Sequence, residues 1–292
     1  MVADLNSSVS ARYIESRLAE FHRLSHPLLG LSGHGDLQRF VSLLVDSAKG
    51  SLLAPEFLDD AVLTQILNYQ QQSATDEACW LLFLYCYIGS SGLLNLIYQS
   101  WNWEKVIADV DGFERWLMDN QGELKNAGYL RMVHKYQAFD PHRAKAMGEG
   151  VKSYITWVKS AGDYTQLFQN IIADCQGQST TAFDRIYLSM NAHASFKKQI
   201  KLDYLCMVSH LKIAGIEPGQ FYFGDVLLLK KAARQLFSGH PRIKISPSEL
   251  NKLMAALTDC LGSPFSIPVL YRVLIDWGNE IRIPINPNFR RY

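Results

Sequence analysis

Hydrophobic positions recur at helical spacing along most of this 292-residue chain. Tyr13, Ile14, Leu18, Phe21 and Leu24 mark one face of a helix from Ser10 to Leu24, with Ser10 placed as its N-cap. His26-Pro27 stops that helix, and Gly30 to Gly35 reads as loop. Leu37 to Ala48 and Leu58 to Asn68 repeat the pattern, the second opened by Asp59 and Asp60, whose charges suit a helix N-terminus. Ala78 to Ile88 is apolar on nearly every side, which predicts a helix surrounded by others. Shorter helical pieces follow at Leu93 to Gln99, Glu104 to Asp109 and Gly112 to Asn120, and Gly128 to Gly150 is less regular. Helices are expected again at Val151 to Lys159, Tyr164 to Cys175, Ala182 to Met190 (capped by Thr180 or Thr181), Ile200 to Leu211 and Val226 to Phe237. Phe221 to Phe223 reads as a short extended piece. Pro247 and Pro268 open the last two helices, Ser248 to Leu261 and Val269 to Trp277. No alternation of strand period runs for any length, so the expected class is all-α, an array of ten to fourteen helices. The array reads as one unit with room for two lobes, about 50–125 and 10–49 with 126–246, followed by a C-terminal extension over 247–292.

Composition changes little in that picture. The chain is 48% hydrophobic and 20% charged, ordinary for a globular protein, with a net charge of +1. The charge is unevenly placed, however. From Asn191 to Lys244 nine Lys/Arg face three acids, a local excess that suits a polyanion or simply decorates solvated helix ends. Five cysteines without metal-site spacing read as reduced thiols of a cytoplasmic protein. The polar N-terminus is no signal peptide, and the most apolar run, Cys79 to Ile88, falls short of the ~20 residues that span a bilayer. No metal, no cofactor and no obligate protein partner is expected.

The chemistry concentrates between Asn191 and Gly219. An apolar helix leads into a small polar turn, a second apolar helix leaves it, and a loop then presents Glu217 before Pro218-Gly219. Backbone N–H groups at the start of the second helix, near Ser195, Phe196, Lys197 and Lys198, can hold a phosphate without sequence preference, and Lys201 would add charge. Asp203 lies one turn after Gln199 on the same face, as a second acid or as an ordinary helix-surface acid.

Several ordered blocks resemble one family. They are Gln70-Gln71-Gln72 with Asp76-Glu77-Ala78 and Trp80-Leu81-Leu82-Phe83; His134-Lys135-Tyr136; Ala182-Phe183-Asp184 through Ala194-Ser195-Phe196; Asp203-Tyr204-Leu205; Ile216-Glu217-Pro218-Gly219; and Ala233-Arg234 with Leu236-Phe237. Together, over residues 10 to 240, they look like the bacterial alpha-glutamyl/putrescinyl thymine pyrophosphorylases of clade 3, which are similar to helix-hairpin-helix DNA glycosylases. The sequence departs from the family in two places: Lys197 stands where a Gly follows the hairpin Phe, and Val226 to Leu229 replaces a Gly-Pro-rich turn.

The resemblance implies roles. Glu217 falls where related glycosylases place their catalytic acid, with Asp203 as helper or substitute. Gln199 stands where bifunctional members carry a Schiff-base Lys, so a monofunctional enzyme is expected. Gln70, Gln71 and Gln72, expected in a loop between helices, would fill the gap left by an everted base. His134, Lys135 and Tyr136 would line the base pocket, and Lys231 and Arg234 would join Ser195, Phe196, Lys197, Lys198 and Lys201 on double-stranded DNA carrying modified bases. The expected activity is excision of a bulky modified pyrimidine, foremost α-glucosylated 5-hydroxymethylcytosine, from phage DNA as antiphage defence. The alternatives are a hypermodified-thymine pyrophosphorylase or salvage enzyme, and a non-catalytic helical DNA-binding protein.

Overall fold

The computed structural model describes residues 10–48, 60–131, 139, 147–190 and 197–280. Among them are fifteen α-helices and no strand. The chain runs α1 (Ala11–Leu24), α2 (His34–Ala48), α3 (Asp60–Gln71), α4 (Thr75–Tyr87), α5 (Ser91–Ser100), α6 (Trp103–Ala108), α7 (Val110–Asp119) and α8 (Gln121–Ala127). It continues with α9 (Met147–Lys159), α10 (Tyr164–Asp174), α11 (Ser179–Ser189), α12 (Lys198–His210), α13 (Leu227–Ser238), α14 (Pro247–Leu261) and α15 (Ile267–Glu280). The all-α class is as expected. The count exceeds the expected range partly because α8, with Leu124 as its one buried residue, offers too short a pattern to read.

Local chemistry sets many of the ends. Ser10 accepts the Tyr13 N–H at 3.2 Å, and Ser246 accepts that of Glu249 at 3.1 Å with Pro247 behind it. Two expectations differ. The N-cap of α11 is Gln178, with no side-chain cap, rather than Thr180 or Thr181. Phe221 to Phe223 is not an extended piece: its phenyl rings stack, Tyr222 has φ 52°, and the Tyr222 carbonyl accepts the Asp225 N–H (2.9 Å) in the turn that follows.

The chain folds into two compact units: Met1–Leu53 with Gln220–Tyr292, and Ala54–Gly219. In the first, α13 packs on α14, α15 and the 3-10 turn Leu29–Leu31, while α2 packs on α1 and α15 and α1 on α14. Gly30 permits this closeness, since a Cβ there would strike the Gln235 carbonyl.

The second unit is built around α4. Every residue from Ala78 to Tyr87 is buried, and α3, α5, α6, α10 and α12 pack against it. Trp80 and Phe83 stack (5.6 Å), and Phe83 stacks on Tyr154 from α9 at 3.9 Å. The ends of α4 carry the polar work. Glu77 accepts the Trp103 N–H at the start of α6 (3.2 Å), and Asp76 accepts the Tyr164 N–H at the start of α10 (3.1 Å).

Three helices of this unit, α3, α10 and α12, end alike. Ser73, Gln176 and Lys212 each take positive φ (59°, 53° and 55°) one residue past the helix cap. The next N–H then reaches back: Ala74 to the Tyr69 carbonyl (2.9 Å), Gly177 to Ile172 (2.9 Å), Ile213 to Val208 (3.0 Å). A Cβ in that conformation costs about 1 kcal/mol. Gln176 is exposed, so Gln176→Gly should raise unfolding stability by roughly 0.5–1 kcal/mol, net of the looser unfolded chain. Urea unfolding of the two proteins tests this; a lowered midpoint would contradict it.

Candidate active site and nucleic-acid interface

Helices α11 and α12 pack as a hairpin. Lys197 is the N-cap of α12, in extended conformation (φ −67°, ψ 136°), so a lysine at this position carries no backbone strain. Lys198 is exposed and Gln199 half-buried. Lys201 is 2% exposed, and its ammonium donates to the Met190 carbonyl at 2.7 Å. Met190 is the C-cap of α11, so the lysine ties the start of α12 to the end of α11 and places its charge at the negative end of α11. Ser195 and Phe196, between the two helices in sequence, lie outside the described residues.

Helix α12 is buried along its length, every residue from Ile200 to Val208. Asp203 is 7% exposed and pairs with Arg131, Nη2 to Oδ2 2.8 Å. Arg131 also donates Nη1 to the Cys86 carbonyl at 2.9 Å, near the end of α4. Its backbone N–H bonds to the Tyr87 carbonyl (2.9 Å), and the Gly89 N–H to that of Tyr129 (2.9 Å), around an antiparallel bridge of Ile88 with Leu130. One guanidinium thus joins α4, α12 and the segment following α8. Sequence reasoning passed over Arg131; a basic residue opposite a buried acid is invisible until α12 is placed against the segment that follows α8.

Glu217 is exposed and sits at the other end of the hairpin. Its N–H bonds to the Ser179 carbonyl at 3.2 Å, at the start of α11, and Gly219 backs onto Thr180. Ten residue steps along α11 separate Ser179 from Ser189, about 15 Å at the helical rise, so Glu217 stands that far from the turn while Lys201 stands beside it. The glutamines join Glu217's end. Gln70 and Gln71 form the last turn of α3 rather than a loop. The Gln70 amide donates to the carbonyls of Leu211 (2.9 Å) and Lys212 (3.1 Å), just past the end of α12. Gln71 and Gln72 are exposed.

His134, Lys135 and Tyr136 lie outside the described residues. Lys231 and Arg234 belong to α13, in the first unit, where Arg234 donates to the Ile245 carbonyl at 2.9 Å. Burial pushes the thiols of Cys79 and Cys206 upward, which keeps them neutral and unreactive. Among the described residues no group of His, Cys, Asp and Glu could hold a metal ion, and no helix is long and apolar enough to cross a membrane. A cavity of about 250 Å³ beside Trp103 is lined by Asp76, Glu77 and Asp163. These acids cap helices, Asp163 accepting the Gln166 N–H at 2.7 Å. Burial raises the Asp76 pKa against the opposing hydrogen bond from Tyr164.

A helical scaffold with this hairpin has a counterpart among known families. The family model for alpha-glutamyl/putrescinyl thymine pyrophosphorylase clade 3 matches residues 59–282. The chain belongs to that family, which is associated with enzymatic processing of modified bases. No curated protein and no solved structure gives a match.

Breaking the buried ion pair should be costly. Asp203→Asn leaves the Arg131 guanidinium without its counter-charge and should cost about 3–5 kcal/mol in urea unfolding, whereas Arg131→Met with Asp203→Leu should recover most of it. A loss below ~1 kcal/mol for the single change would show that the pair does not hold α12 to α4.

Proposed function

We propose that the protein is a monofunctional DNA glycosylase that excises a bulky modified pyrimidine, foremost α-glucosylated 5-hydroxymethylcytosine, from phage DNA and leaves abasic sites as antiphage defence. The observation that carries this reading is the exposed Glu217, its backbone tied to Ser179 and its loop leaving the end of α12 that Gln70 caps. Departure of the base breaks the C1′–N bond, the electron pair leaving with the base, and builds positive charge on the sugar. A fixed carboxylate stabilises that charge and takes a proton from the attacking water, whose oxygen bonds to C1′. The proton passes on to the departing base. Gln199 has no amine to form a Schiff base, which favours hydrolysis over lyase chemistry.

The other residues divide by how the fold already uses them. Asp203 is committed to Arg131, which favours Glu217 as the acid that faces substrate. With the Gln70 amide bound to the end of α12, Gln71 and Gln72 are the exposed glutamines available to fill the space of an everted base. Lys197 and Lys198 flank the start of α12, where a phosphate would meet backbone N–H groups. The ~15 Å from that end of the hairpin to Glu217 corresponds to about four base-pair steps of 3.4 Å measured along the duplex axis. Lys201 then serves the grip indirectly, by holding the two helices at their turn.

The family's name favours a second reading, a reaction that uses or yields pyrophosphate on a nucleotide. Assays with and without added pyrophosphate, together with measurement of pyrophosphate released, separate the two, since a hydrolase works equally in both and produces none. Glu217→Gln should still bind modified duplex while abasic-site formation, counted by an aldehyde-reactive probe, falls at least ~100-fold. Undiminished cleavage would remove Glu217 from the mechanism.

A further inference from the structure

In the first unit, residues 226 to 248 hold five Lys/Arg and no acid. Lys230 and Lys231 are half-exposed on α13, and Arg234 follows Lys230 by one turn on the same face. The connection from α13 to α14 is held rigidly. Gly239 caps α13 at φ 71°. The Ile243 N–H bonds to the His240 carbonyl (3.2 Å), and the Arg242 N–H to His240 Nδ1 (3.2 Å). The Ser238 hydroxyl lies within hydrogen-bond distance of the Arg234 and His240 carbonyls (2.6 and 3.0 Å). Arg234 braces the far side through Ile245, and Ser246 with Pro247 starts α14 immediately after.

What this turn presents outward is Arg242, Ile243 and Lys244, all exposed, with Ile243 at 47%. Exposure alone does not distinguish Ile243, since Leu24, Leu188 and Leu227 are more exposed, but of the exposed large hydrophobic residues described it is the one set between two cations, on a turn whose backbone is held by hydrogen bonds. Groove-binding proteins use this combination: an apolar wedge against a base step with cations on the flanking phosphates.

We infer that the turn 239–245 is a DNA-groove probe in which Ile243 packs against base steps while Arg242 and Lys244, continued by Lys230 and Lys231, contact phosphates. The inference rests on the preceding reading only in taking duplex DNA as partner; it requires no base release. A membrane surface fits less well, because interfacial binding uses a broad apolar face rather than one side chain. Arg234, expected on DNA, here acts on the turn and not on phosphate.

The test uses the full chain and an unmodified 20-base-pair duplex, followed by fluorescence anisotropy from 50 to 300 mM salt. Arg242→Ala and Lys244→Ala should each reduce the slope of log affinity against log salt by about 0.9. Ile243→Ala should weaken binding several-fold at every salt concentration without changing the slope. Ile243→Trp should report insertion by quenching of its emission when duplex is added. Unchanged slopes for both cation variants would overturn the inference. So would a tryptophan at 243 that responds to anionic phosphatidylserine vesicles and not to duplex. Absence of base release by the wild-type protein, with slopes still falling as stated in the variants, would leave this inference standing and count against the glycosylase reading alone.

Discussion

The second unit depends on one constraint: α4 has no polar face, so it must be covered on every side. Ten consecutive buried residues, Ala78 to Tyr87, leave water nowhere to reach it. Covering a helix completely takes several neighbours, and the chain supplies α3, α5, α6, α10 and α12. The elements that carry the candidate chemistry are among these. Helix α3 brings Gln70 to the end of α12, and α12 brings Asp203 to Arg131, because both helices are first required as walls around α4.

The same constraint explains where polar groups are used. At one end of α4, Asp76 and Glu77 are acceptors for the first N–H groups of α10 and α6. At the other, Arg131 satisfies the Cys86 carbonyl and reaches across to α12. A hydrogen bond or ion pair in such surroundings adds little net stability, yet leaving either partner alone is expensive. Each therefore specifies which helices meet and where, and the site inherits that precision. Lys201 acts alike one layer out, fixing α11 to α12 at their turn.

Much of this was legible in the sequence where the signal was local. Ser10, Ser246 and Pro247 mark helix starts, and the all-round apolar run identifies α4 as central. The signals that mislead are polar residues whose partners are distant in the chain. Three glutamines in a row look like a loop, yet Gln70 and Gln71 extend α3, because an acceptor pair at Leu211 and Lys212, some 141 residues away, waits for the Gln70 amide. Lys201 and Asp203 read as a helix surface, since lysine and aspartate rarely go inside without a partner. Their partners, Met190 and Arg131, become neighbours only once the hairpin is closed over α4. Gly239 and Pro241 mark a break around Ile243 in the sequence, but the hydrogen bonds that hold this turn leave no local signal.

Function follows as a division of labour between side chains spent on the fold and side chains exposed on it. Asp203, Lys201, Gln70 and Arg234 are committed to holding the protein together; Glu217, Gln71 and Gln72 are left facing outward. The most direct measurement is mass spectrometry of small molecules released when the wild-type protein meets phage DNA, glucosylated or not, with no pyrophosphate added. The account predicts free glucosylated hydroxymethylcytosine from the first DNA and nothing from the second. Release of a nucleotide, or of no base from either, would contradict it.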